Sequence, residues 1–415
     1  MSDNIQNNTK NKKNVYKITA IIIGIVVFGC LVLNNFTKKD LYNGKISKNI
    51  FIQGIDISNM TKEEAIKAVE EKYNVQDLTL QYNDKSYIVG SKDIELNYNT
   101  KELVDKAYNS TRTGSYFNDI TSYMKTKING KEYSIKATYN EKELDKILND
   151  ISNSINQKAM DAIVNVGSSI SYIDSKTGLK FETEENKKLV TEALDNKKYE
   201  NIDLKVTVTQ PKVSTDDVKS INTCLASFST TFNAALIERS YNIGLAAQRC
   251  SNVILLPGET YSYNKQTGVR LISNGFKNAP VIVGGELVDA PGGGVCQTST
   301  TMFNAALLSG LQIDQVRNHS KTSHYAQRGR DAMVNDSGSD LKFTNNFDHA
   351  VYIECYRSGN TVNAAIYGAY QDKVNVSIDV DNFVYNGLPG AKTYRTITKN
   401  GQSNKSFIYT SVYNE

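Results

Sequence analysis

The chain has 415 residues, 40% of them hydrophobic and 22% charged, with a formal net charge of +4. That length holds roughly two to three domains, each able to bury its own core, and the composition is ordinary for a globular protein. The small positive charge is spread along the chain, so nucleic acid is not expected as a partner.

Residues 1–15 read as a polar cytoplasmic tail with Lys10, Lys12 and Lys13 near its end. Residues 18–33 are apolar and uncharged, slightly short of the ~20 a spanning helix needs. Tyr16 and Phe36 extend the stretch, giving an expected transmembrane anchor over 16–36. No small-residue cleavage site follows, which favours an uncleaved anchor over a signal peptide. Long domains translocate largely regardless of charge. The expected location is therefore the cell membrane, single-pass type II, with the bulk of the chain extracellular and facing the wall. Val27-Phe28-Gly29-Cys30 only faintly resembles a lipoprotein box, and lipidation is the disfavoured reading.

Residues 44–220 read as two similar α+β modules. Residues 50–57 alternate like a strand, and Thr61 with Glu64 forms a capping box before an apolar-periodic helix. Strand-like residues 94–96 lead into a short helix at 101–107, and residues 179–181 lead likewise into 188–193, as if one unit were used twice. Residues 141–155 form an amphipathic helix between them. This half has no His and no Cys beyond Cys30. It is either a spacer or a binder of extended glycan or peptide.

Residues 221–415 hold the candidate chemistry. A helix is expected over 239–247, a strand pair over 253–264 around Pro257-Gly258, and a strand over 276–283. Pro291 and Gly292-Gly293-Gly294 then turn the chain into a helix, in which Met302, Ala305, Ala306 and Leu308 recur at helical spacing before Gly310 stops it. Cys296 sits at the mouth of that helix, where unpaired N–H groups and the helix dipole favour a thiolate. The N–H groups of Cys296 and Gln297 are placed to hold an oxyanion. The bland alternative is a buried small hydrophobe; the glycine approach favours a nucleophile. Gly294 and Gln297 are the expected substrate contacts beside it.

A cysteine nucleophile needs a base, usually His, oriented by a third group. All three histidines follow Cys296, and His319 ranks first, His324 second and His349 third. Asp331 either orients a His or pairs with Arg328 or Arg330. Arg270, Arg317 and Arg330 are candidates to bind a substrate carboxylate. No metal or cofactor is expected, because Cys224, Cys250, Cys296 and Cys355 show no CxxC spacing and no His at zinc-ligand distance. Cys224 and Cys250 either pair or pack as core, with core preferred. From residue 351 onward five alternating runs read as antiparallel strands.

Leu256-Pro257-Gly258-Glu259, Tyr261-Ser262-Tyr263-Asn264, Gly292-Gly293-Gly294-Val295-Cys296-Gln297-Thr298-Ser299-Thr300-Thr301, Asn318-His319-Ser320 and Gly329-Arg330-Asp331-Ala332, in that order, resemble the VanW domain over about residues 225–370. The half before it looks like the peptidoglycan-binding modules that often accompany such domains. The family takes its name from an accessory gene of vancomycin-resistance clusters. Some members look like L,D-transpeptidases that form 3-3 peptidoglycan cross-links through a cysteine acyl-enzyme. The resemblance places the nucleophile at Cys296 and the base at His319, and makes His324 less essential. It implies a membrane-anchored transferase of cell-wall biogenesis, with stem peptides and glycan strands as partners. The alternatives are a non-catalytic wall-binding scaffold, or a cysteine amidase or endopeptidase. The expected fold class is α+β: an N-terminal transmembrane helix, two small α+β modules over 44–220, and a mixed α+β domain with antiparallel strands over 221–415.

Overall fold

A computed structural model describes residues 17–25, 28, 35, 37–283 and 286–414. The expected tail at 1–15 and the Cys30 box lie outside the described residues, Phe28 excepted. Residues 17–25 are helical. Among the described residues no helix is long and apolar enough to cross a membrane. The transmembrane helix of the expected fold class, the anchor at 16–36, the type II membrane location and the membrane as partner are corrected on that ground. The α+β character stands.

The chain divides into two compact units, Met1–Asn156 with Leu179–Thr207, and Gln157–Gly178 with Val208–Glu415. In the first, Thr61 caps the helix Lys62–Lys72: its side chain accepts from the Glu64 N–H while Glu64 Oε2 accepts from the Thr61 N–H at 2.8 Å. The helices Thr100–Asn109, Glu141–Ile155 and Thr183–Asn196 form where the apolar period places them. Burial gathers in two clusters, one around Ile50, Ile52, Val69 and Val104, the other around Leu78, Leu80, Leu144, Leu148 and Val190.

The second unit carries the candidate chemistry. After the strands Ile163–Val166 and Ile170–Ile173 and the short helix Thr215–Lys219, the elements that build the site are numbered in chain order: strand β1 (Thr223–Thr231), helix α1 (Ile237–Cys250), and strands β2 (Val253–Leu255) and β3 (Thr260–Ser262). Strands β4 (Asn278–Val283) and β5 (Glu286–Pro291) precede helix α2 (Val295–Ser309), which is followed by strand β6 (Gln312–Gln315). Strands β7 (Lys342–Thr344), β8 (Val351–Ser358), β9 (Thr361–Gly368), β10 (Asn375–Tyr385), β11 (Leu388–Lys399) and β12 (Gln402–Val412) complete it. An antiparallel sheet of order β1-β9-β8-β2 forms the floor. Helices α1 and α2 lie on one face of it, and Ile243, Ala246, Met302, Phe303, Ala306, Ile353 and Ile366 fill the space between. Strands β10, β11 and β12 make a separate antiparallel meander, as their alternation predicts.

Strands β2 and β3 are not paired with each other, contrary to the hairpin expected around Pro257-Gly258. Strand β2 pairs with β8 and β3 with β7. Buried Asn345 explains the split: its backbone exchanges hydrogen bonds with Gly258 N and Glu259 O while its Nδ2 donates to Leu255 O and His349 O. The turn is thereby pinned between two sheets. Cys250 and Cys355 are buried core, Cys224 is half-buried, and all four described cysteines are free thiols.

The hairpin of β4 and β5 hands the chain to α2 through Gly292-Gly293-Gly294. A Cβ on Gly293 would lie 2.6 Å from Ala279 O and 2.7 Å from Pro280 O, both backbone atoms. Gly294 has φ +108, and its Cβ would stand 2.9 Å from Ile243 Cγ1. Side-chain-free backbone is therefore required where α2 starts. Gly293→Ala is expected to lower stability by about 1–3 kcal/mol through forced backbone displacement, measured by urea denaturation, and to slow alkylation of Cys296 in the folded protein.

Candidate active site

Helix α2 is buried almost all round. Of its 15 residues only Cys296 and Leu308 keep solvent access. Its run Thr298-Ser299-Thr300-Thr301 is fully buried, and hydroxyls in a helix interior compete with the backbone unless partnered. Here they are partnered. Ser299 Oγ donates to Ala332 O, the Ala332 N–H donates to Thr300 Oγ1 at 3.0 Å, and Thr301 Oγ1 donates to Gln297 O at 2.8 Å. One turn on, Asn304 Nδ2 donates to Arg330 O at 2.8 Å while its Oδ1 accepts from Arg330 Nε. One face of α2 thus grips residues 330–332 and fixes Asp331 beside the helix start.

Asp331 is 1% exposed. Its Oδ2 accepts from both the backbone N–H and Nδ1 of His319, each at 2.7 Å, and its Oδ1 accepts from the Tyr413 hydroxyl at 2.6 Å. With Nδ1 committed, the imidazole turns its other nitrogen outward, and the ring is hydrogen-bonded to the Cys296 sulfur. Tyr325 completes the surround, its hydroxyl 3.3 Å from His319 Nε2 and its ring edge-on to the imidazole. The Cys296 thiol also points at Val334 O, at 3.4 Å.

The electrostatics follow from that line of contacts. Burial pushes the Cys296 thiol up, but the hydrogen bond and charge of His319, with the more distant Arg270 charge, outweigh it and leave the thiol below its ordinary value. Burial pushes the His319 imidazolium down, and the Asp331 and Cys296 bonds outweigh it, carrying the group up to about 10. Both shifts favour the thiolate–imidazolium form of the pair.

The helix start is also partly spoken for. Val295 N–H donates to Gly292 O at 3.1 Å and Gln297 N–H to Gly294 O at 3.0 Å, whereas the Cys296 N–H donates to no described group. The donor left for an oxyanion is that of Cys296 itself, and the expectation of a second one at Gln297 is not met. The Gln297 side chain is likewise structural: Nε2 donates to Thr230 Oγ1 at 3.0 Å and Thr231 O at 2.8 Å, and Oε1 accepts from Arg239.

The structure brings Cys296, His319, Asp331 and Gly294 together, with Gln297 beneath them. His324 is exposed and takes no part in this hydrogen-bond network among the described residues. His349 pairs instead with Asp372, 3.0 Å away. Arg270 is consumed by Asp336, Asn264 and Thr267, Arg330 by Asn304, and exposed Arg317 reaches Ser339 at 3.4 Å. Sequence reasoning missed Arg239, Tyr325 and Tyr413. The buried Ser/Thr run in a helical pattern was the available signal that something polar must pack against it.

The second unit is therefore an α+β domain with a Cys–His–Asp constellation at a helix start. Residues 238–367 match the model described as "VanW like protein", and residues 87–203 match the one described as "Putative peptidoglycan binding domain". The chain carries a VanW-like domain, preceded by a domain of the second kind. It is 39% identical over 160 residues to "Uncharacterized protein YoaR" of Bacillus subtilis, covering 38% of this chain and 53% of that protein. It is 30% identical over 121 residues to "Vancomycin B-type resistance protein VanW" of Enterococcus faecalis, covering 27% of this chain and 42% of that one. The chain spans about half the length of the curated relatives it matches. No solved structure matches it.

Two outcomes are expected. The pH midpoint for iodoacetamide alkylation of Cys296 should fall below the ordinary cysteine value of about 8.5, because the His319 imidazolium, which persists up to about 10, favours the thiolate. In His319→Ala the imidazolium is gone and burial remains, so the reactive limb should move to higher pH. Separately, Tyr413→Phe removes a donor to Asp331 and the acceptor of the Gly329 N–H. It should cost about 1–3 kcal/mol in urea denaturation.

Proposed function

We propose that residues 221–415 form a cysteine acyltransferase of peptidoglycan, an L,D-transpeptidase making 3-3 cross-links, and that residues 44–220 are tandem modules binding the wall. The observation that carries this reading is the Cys296–His319–Asp331 line, with Cys296 solvent-accessible and its sulfur poised as a thiolate. The likeness to VanW and to a peptidoglycan-binding domain supports the wall as substrate.

Cys296 is the nucleophile, His319 the acid and base, and Asp331 holds the ring. The thiolate bonds to the carbonyl carbon of the third, L-centred diamino acid of a tetrapeptide stem, and the Cys296 N–H receives the oxyanion. The C–N bond to D-Ala breaks, and the imidazolium proton goes to the leaving amine. The side-chain amine of a neighbouring stem then attacks the thioester, gives its proton to the imidazole, and the sulfur leaves as thiolate. Water must be kept from the thioester for transfer to win over hydrolysis.

The test is muropeptide analysis of the purified chain with a disaccharide-tetrapeptide substrate. The expected product is a 3-3 linked dimer with release of D-Ala, reduced roughly 10³-fold or more in Cys296→Ala. Tripeptide alone would make the domain a hydrolase, and binding without a Cys296-dependent product would make it a wall-binding scaffold.

A further inference from the structure

Arg239 opens α1 directly over the start of α2. A Cβ on Gly294 would lie 3.0 Å from Arg239 Cγ and 3.0 Å from its carbonyl oxygen, and Arg239 Nη2 donates to Gln297 Oε1 at 2.8 Å. The side chain thus reaches from Gly294 to Gln297, the two residues that bracket Val295 and Cys296. Gln297 is itself anchored to β1 through its amide, so one arm of the guanidinium is held rigidly. The Nε and Nη1 groups donate to no described residue, and no described carboxylate pairs with Arg239.

An unpaired charge out of water is costly. Burial lowers the Arg239 pKa, and the groups that push back are Tyr325 and Cys296. Of the cations that the sequence favoured for a substrate carboxylate, Arg270 has its donors bonded within the fold, and Arg330 gives its Nε to Asn304, two turns along α2 from Cys296, and lies over the Phe228 ring.

We propose that Arg239 is the carboxylate-binding residue of the donor site, and that the domain acts on peptides ending in a free α-carboxylate one residue beyond the scissile bond. The proposal rests on the transpeptidase reading and names its donor class. Backbone dimensions place the carboxylate carbon of a terminal residue about 3–4 Å from the preceding carbonyl carbon. A cation that recognises it must therefore sit beside the nucleophile, as Arg239 does. A guanidinium with two free N–H groups matches a carboxylate in a bidentate fork. An internal peptide bond would bring a neutral amide to the same place and leave the cation unpaired.

The test compares two synthetic tetrapeptide stems, one with a free C-terminal D-Ala carboxylate and one with its carboxamide. Thioester formed on Cys296 of the full chain is followed by intact-protein mass spectrometry in single turnover. The free acid is expected to acylate about 10- to 100-fold faster than the amide, the factor of a charge-assisted hydrogen bond. In Arg239→Gln that preference should collapse while iodoacetamide still alkylates Cys296, which shows the site to be folded; Arg239→Lys should recover part of it. Equal acylation by acid and amide would overturn the carboxylate assignment and leave the transpeptidase reading standing. No thioester from either stem would overturn both.

Discussion

The carboxylate of Asp331 is the constraint on which the rest of the site depends. A buried ionised carboxylate without partners costs several kcal/mol, and this one is satisfied only when three separate parts of the chain arrive together. The segment after β6 supplies two donors from His319, the residue after β12 supplies the Tyr413 hydroxyl, and α2 clamps the backbone on either side through Ser299, Thr300 and Asn304. Tyr409 adds a hydroxyl bond to the Asp331 carbonyl at 2.9 Å. The C-terminal meander is therefore part of the site's scaffold, not an appendage. Asn318 Nδ2 to Val412 O and Asn414 N to Ser320 O, at 2.7 and 2.6 Å, tie the same strand end to the histidine segment.

A second constraint is steric and lies on the other side of Cys296. The backbone of Gly292-Gly293-Gly294 runs against β4 and the first turn of α1 so closely that side chains are excluded. Asn242, itself fully buried, donates to Lys277 O and Gly293 O and so staples α1 to the end of the hairpin. Tyr263 donates to Val295 O at 3.1 Å from below. The sulfur is thus held between an immobile glycine turn and an imidazole whose orientation is fixed by a carboxylate. Preorganisation of this kind means little rearrangement is needed as charge develops.

What was legible in the sequence is what local physics dictates. The glycine turn, the helix with Cys296 at its start, the capping box at Thr61 and the long strands after residue 351 all follow from period, caps and turn chemistry, and all are present. His319 ranked ahead of His324 among the histidines that follow Cys296, and the family motif places the base there too; in the structure His319 bonds to Asp331 while His324 faces solvent. Assignments that needed tertiary knowledge went differently. Pro257-Gly258 looks like a hairpin, yet Asn345, some ninety residues on, draws its two strands into different sheets. Arg270 and Arg330 look available because nothing local pairs them, whereas Asp336 and Asn304 do so through the fold. Arg239 gave no local sign at all, being an ordinary cation at the first turn of an amphipathic helix. The apolar stretch near the N-terminus carried a hydropathy signal, yet among the described residues no helix is long and apolar enough to cross a membrane.

The resulting site balances two opposed demands on one sulfur. Low solvent exposure strengthens every interaction inside the site, but the same burial disfavours the thiolate that chemistry needs. The conflict is resolved by cations placed at graded distances: His319 in hydrogen-bond contact, then Arg270 acting through its charge alone while locked to Asp336. Arg270 cannot follow a substrate, because its aliphatic stem packs under Gly292 and its donors are spent. Its role is confined to raising the local potential. A site whose resident cations are all consumed by the fold could activate a thiolate without recognising an anionic donor. Recognition then requires a cation that the fold leaves incompletely bonded, close enough to the sulfur to meet the group that departs, and held at one end so that little conformational entropy is lost when the other end engages.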